Sequence, residues 1–161
     1  MNNAMNVTVK ELPQTHVAYV RTIGPYQGPS ISNAFHKLMR WAGPRGFASN
    51  GKTYGVPWDN PEVTAPEKCR YDACVEVPEG TATQGEIGTQ IIQGGHYAVY
   101  HVEFEGMEGF ESSWRDLFQQ WLPSSGYEPD EKHCFELYDD ERCDPDKQKW
   151  VLDICLPVKP L

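Results

Sequence analysis

The chain has 161 residues, which suits one well-buried domain or two small halves sharing a core and is too short for two independent enzymatic domains. Its 39% hydrophobic and 12% aromatic content excludes a disordered or low-complexity protein, and a net charge of -9 argues against nonspecific nucleic-acid binding, which draws on clustered Lys and Arg. No apolar run approaches the roughly 20 residues of a membrane span, and Met1-Asn2-Asn3-Ala4 begins no signal peptide, so the cytoplasm is expected and neither a membrane nor nucleic acid is expected as a direct partner.

In chain order, the first strand is read at Val17 to Ile23. Ile31, Ala34, Phe35, Leu38, Met39 and Ala42 then form one helical face, with Ser30 or Ser32 as its cap and Pro44 and Gly46 as its stop. Strands follow at Thr53 to Trp58 and Tyr71 to Val77, from their β-branched and aromatic content. Residues 78–86 are rich in turn formers and read as an exposed connection. A further strand is expected at Tyr97 to Phe104. The second helix carries Phe110, Ser113, Trp114, Leu117, Phe118 and Trp121 on one stripe, read as core, and ends at Pro123 and Gly126. Strands at His133 to Tyr138 and Val151 to Leu156 complete the chain.

This order of elements is one pattern used twice, at a spacing of about 80 residues. His16-Val17-Ala18-Tyr19-Val20 reappears as His96-Tyr97-Ala98-Val99-Tyr100, and Trp41, Gly46 and Phe47 reappear as Trp121, Gly126 and Tyr127. Lys52 to Asp59 then falls on Lys132 to Asp139, which aligns Val56 with Glu136. After a one-residue adjustment, Asp72-Ala73-Cys74-Val75 matches Asp153-Ile154-Cys155-Leu156. The expected fold is therefore α+β: a single domain over 1–161, duplicated as two modules of about 1–78 and 87–161. Antiparallel sheets, one long helix per half, pseudo-twofold symmetry and a ligand groove between the halves complete the expectation.

Glu136 breaks the repeat. Alternation in a strand puts Phe135 and Leu137 on one face and Cys134, Glu136 and Tyr138 on the other. If the apolar face meets the helix, Glu136 lies opposite it, with Tyr54, Val56 and Trp58 in the same phase on the equivalent strand. A desolvated carboxylate takes a proton or finds a cation, and aromatic faces add about 0.5 to 2 kcal/mol each by cation–π attraction. The alternative is a glutamate on the solvated face of an antiparallel sheet.

Cys69, Cys74, Cys134, Cys143 and Cys155 form no CxxC pair, so neither a disulfide framework nor a zinc site is expected. His96, His101 and His133 define no metal spacing, no Gly-x-Ser-x-Gly elbow is present, and no P-loop or dinucleotide fingerprint calls for a cofactor. No metal and no cofactor are expected.

Gly24-Pro25-Tyr26, Phe35-x-x-Leu38-x-x-Trp41, Tyr54-Gly55-Val56-Pro57-Trp58-Asp59-Asn60-Pro61, Arg70 to Val77 and Cys134-Phe135-Glu136-Leu137-Tyr138 occur in an order and spacing that covers almost the whole chain. Together they resemble GyrI-like domains, a family that includes the DNA gyrase inhibitory protein and the effector-binding domains of AraC-type and MerR-type multidrug regulators. The resemblance implies that Glu136 is the acidic residue of a pocket for amphipathic cationic small molecules, walled by Tyr138, Tyr54, Val56 and Trp58, with Tyr26 contributing from its loop. It implies a freestanding binding module, monomeric or dimeric, without catalytic residues. Two alternatives come with the same family. One is a hydrolase of cyclopropanoid electrophiles with Glu136 as general base and Tyr138 as proton donor. The other is a factor that binds DNA gyrase or another protein.

Overall fold

A computed structural model of the chain describes residues 5–50 and 52–161; residues 1–4, where no leader was expected, lie outside them. In chain order the strands are β1 (Val7–Leu12), β2 (Thr15–Ile23), β3 (Thr53–Pro57), β4 (Arg70–Glu76), β5 (Gly88–Ile92), β6 (Gly95–Glu105), β7 (Tyr127–Pro129), β8 (Phe135–Tyr138) and β9 (Lys149–Pro160). The helices are α1 (Ser30–Ala42), the short α2 (Phe47–Asn50) and α3 (Glu108–Asp116). Two compact units result. One is Gln14–Gln93; the other joins Met1–Pro13 to Gly94–Leu161.

In the first unit the sheet runs β3-β4-β2-β5, all antiparallel. Helix α1 buries Ala34, Leu38, Trp41 and Ala42 against Ala18 and Val20 of β2 and Ala73 and Val75 of β4, as the stripe in its sequence requires. Neither Ser30 nor Ser32 caps this helix. Pro29 already has helical dihedrals (φ -76°, ψ -6°), so both serines fall inside the first turn, and Ser32 Oγ donates to the Pro29 carbonyl at 3.1 Å.

The second unit has the order β1-β6-β9-β8, with β7 added on β9. Its core packs Leu117 against Ala98, Val102, Leu152, Ile154 and Leu156, with Phe110, Trp114 and Trp121 around them. The expected stripe breaks at Phe118, which is 40% exposed. Over Leu117–Trp121 the helix widens to a π turn, and the larger turn rotates residues beyond Leu117 out of the i, i+4 phase.

Equivalent strands pair in the same register in both units. Arg21 lies opposite Asp72 as His101 lies opposite Asp153, and Tyr54 opposite Cys74 as Phe135 opposite Cys155. Gly55 is opposite Ala73 and Glu136 opposite Ile154. The counterpart of Glu136 is therefore Gly55, not Val56, whose place is taken by Leu137. The extra residue enters earlier than the sequence pattern suggested. Gly46 and Gly126 still correspond, both left-handed at φ 81° and 82°, so the insertion falls after them, where β7 replaces α2.

Strands β1, β5 and β7 were not expected. β1 pairs with β6, placing Val9 opposite Ala98, while β5 pairs with β2, placing Thr89 opposite Ala18. β1 thus belongs to the unit that holds β6, and β5 to the unit that holds β2, so the units differ from the expected 1–78 and 87–161 halves.

Candidate functional site

Glu136 is the residue around which a site can be built. Its strand pairing puts it on the same face as Ile154, a core residue under α3. The helix therefore covers the face that carries Cys134, Glu136 and Tyr138, the reverse of the expected arrangement. Amphipathicity misleads here because both faces of β8 are covered: Phe135 is 3% exposed and Glu136 only 4%. The solvated-face alternative is excluded by the same burial.

A carboxylate so far from water needs donors. Oε2 accepts the indole N–H of Trp114 at 3.0 Å, and Oε1 accepts the hydroxyl of Tyr138 at 2.9 Å. Trp114 reaches it from α3, where Phe110, four residues earlier, lies on the same helical face. Phe110 covers Tyr138 at a ring separation of 6.4 Å and Trp150 at 5.4 Å, and Tyr138 meets Trp150 edge-on at 6.3 Å. The helix can approach this closely because of Gly109. A Cβ there would collide with Cδ1 of Phe104. Cys134 adjoins the site, but burial pushes its thiol up to about 12, with the charge of Glu136 adding to the effect, so it stays protonated.

Trp114 was read as core, and its role in holding Glu136 was missed. The only signal in the sequence is that a buried tryptophan needs a partner for its N–H.

The other anticipated residues belong to the first unit. Tyr54 and Val56 are buried on the face of the sheet away from α1, beside Cys74 and Asp72. Trp58 donates its indole N–H to Asp72 at 2.7 Å. Tyr26 acts as a clasp: its hydroxyl donates to the Arg70 carbonyl at 2.6 Å and accepts the Asp59 N–H at 3.1 Å. Arg70 in turn grips Asp59 with its side chain, and that hydrogen bond holds the Asp59 carboxyl below its ordinary range.

Asp72 was not anticipated as a centre. It is fully buried and accepts four hydrogen bonds, two from Arg21 (2.8 and 2.9 Å), one from Trp58 (2.7 Å) and one from Gln90 (2.8 Å). The guanidinium of Arg21 lies 5.6 Å from the Tyr19 ring centre and 5.2 Å from that of Trp58. Within this unit, then, a desolvated carboxylate already holds a planar cation between aromatic rings. The equivalent pair in the second unit is His101, with Nδ1 2.9 Å from Asp153 and Nε2 3.0 Å from Glu103.

Comparison with known proteins identifies the family and the fold. The model of the GyrI-like small-molecule-binding domain matches residues 5–159. DNA gyrase inhibitor 2 of Dickeya dadantii (strain 3937) is 32% identical over 151 residues, covering 92% of each chain. The C-terminal domain of EcmrR has the same fold with a TM-score of 0.72 and 18% identity over 98% of this chain and 99% of that one. SAV2435, solved bound to tetraphenylphosphonium, superposes with a TM-score of 0.56 and 13% identity over 96% and 94% of the two chains. The chain belongs to the GyrI-like small-molecule-binding domain family.

Proposed function

We propose that this protein binds amphipathic cationic small molecules, drug-like compounds among them, with Glu136 as the anionic centre. The observation that carries the reading is a carboxylate 4% exposed and oriented by Trp114 and Tyr138, under a helix that presents Phe110 beside them. Trp114 and Tyr138 fix the carboxylate in place, and a greasy cation meets a buried carboxylate with both positive charge and apolar surface. The Arg21–Asp72 pair, flanked by Tyr19 and Trp58, is the same chemistry carried out internally. The family description and the tetraphenylphosphonium carried by SAV2435 support this ligand class.

The hydrolase alternative is less well supported. Tyr138 donates its proton to Glu136, so the phenol orients the carboxylate here and does not point a proton at a substrate. A protein-binding role has one observation in its favour, the name of the Dickeya relative. Retention of purified gyrase on the immobilised protein would support it, and no retention would remove it.

The cation reading is tested by thermal shift of wild type and Glu136→Gln against cationic, neutral and anionic aromatic compounds. Stabilisation of wild type by cations alone, lost in the variant, is expected. Equal stabilisation by all three classes would contradict it.

A further inference from the structure

We infer that the Glu136 site has a second polar point, the indole N–H of Trp150, which selects cations carrying a hydrogen-bond acceptor on their aromatic body. This inference rests on the cation-binding reading and narrows it.

Trp150 Nε1 is completely buried and has no hydrogen-bond partner among the described residues. Buried donors are almost always paired, and one that is not calls for an explanation, because the desolvation of its N–H goes uncompensated. Its surroundings supply one. Trp150 lies opposite Phe104 on β6, on the helix-covered face shared with Leu152 and Ile154. Its ring meets that of Tyr138 edge-on, and the Tyr138 hydroxyl reaches Glu136, so Trp150, Tyr138 and Glu136 form a continuous row. Phe110 lies against both Tyr138 and Trp150. One end of the row carries a carboxylate, the other a buried neutral donor, with aromatic rings between them. The molecule complementary to that row is an aromatic cation bearing a carbonyl or ether oxygen. An all-hydrocarbon cation satisfies Glu136 and leaves the Trp150 N–H as it is.

The test titrates wild type, Trp150→Phe and Glu136→Gln with tetraphenylphosphonium and with its ketone-bearing analogue, (para-acetylphenyl)triphenylphosphonium. Wild type should bind the ketone about tenfold more tightly, the value of one neutral hydrogen bond made to a buried donor. Trp150→Phe keeps an aromatic ring and loses the N–H, and should bind the two cations alike. The indole N–H proton resonance that disappears in Trp150→Phe should move downfield with the ketone and not with tetraphenylphosphonium. Equal affinities in wild type, or a preference that survives in Trp150→Phe, would overturn the inference. If Glu136→Gln still loses both cations in that case, the cation-binding reading stands without it. Failure of wild type to bind either cation would remove both.

Discussion

Trp114 on α3 donates its indole N–H to Glu136 on β8 at 3.0 Å, tying the helix to the strand across the covered face of the sheet. Trp114→Phe keeps most of the ring and withdraws one of the donors of a buried carboxylate, which costs about 1–3 kcal/mol. In a Glu136→Leu background the same substitution should cost much less. A double-mutant cycle by urea denaturation measures the difference, and a coupling near zero would mean the bond contributes nothing to stability.

Arg21 and Asp72 differ in exposure, 40% against 0% for their side chains, so they should not respond alike to deletion. Arg21→Met strands a fully buried carboxylate on two neutral donors and is expected to lose about 3–5 kcal/mol. Adding Asp72→Leu removes the stranded charge and should recover part of that loss. Chemical denaturation of the single and double variants checks both statements.

His101 lies between Glu103 and Asp153, and hydrogen bonding to Glu103, then to Asp153, raises its pKa above the ordinary 6.5. A raised folded-state value means that the stabilisation is complete below about pH 6.5 and is lost as pH climbs through the folded-state value. The imidazole is partly exposed, so the effect should stay below about 1 kcal/mol. Melting temperature followed from pH 5.5 to 8.5, a range chosen to bracket that transition, should fall more for wild type than for His101→Gln. Parallel curves would show that the pair has no net worth.

Gly109→Ala should destabilise the protein although alanine is the better helix former. The helix gains about 1 kcal/mol in propensity, but the new Cβ runs into the Phe104 ring, and such overpacking costs about 1–3 kcal/mol. Phe104→Leu in the same chain should relieve part of the loss. Thermal melts of the three variants decide the matter.

What the sequence revealed, and what it hid, follows from how local each signal is. Helix α1 was legible because its six apolar positions share one face and Pro44 and Gly46 end it. Strand β1 carries a period-2 signal in Val7 and Val9, but its intervening residues are exposed, and the lack of a continuous apolar run concealed it. β5 offers little beyond Ile91 and Ile92 next to a run of turn residues. The face of Glu136 could not be read from alternation in a four-residue strand covered on both sides. The carboxylate itself was legible as the break in the repeat. Its donor, Trp114, lies 22 residues earlier and was not, because only the packing of α3 on the sheet brings the two together. Asp72 escaped notice for the same reason, since Arg21 and Gln90 converge on it from strands far apart in sequence.

The role of Glu136 as the anionic centre of a cation site is open to calorimetric titration with tetraphenylphosphonium, of wild type and of a Glu136→Gln variant shown to be folded by circular dichroism. Saturable binding to wild type is expected, with at least a tenfold loss in the variant, about 1.4 kcal/mol for the missing charge. Equal affinity in the two proteins would contradict it.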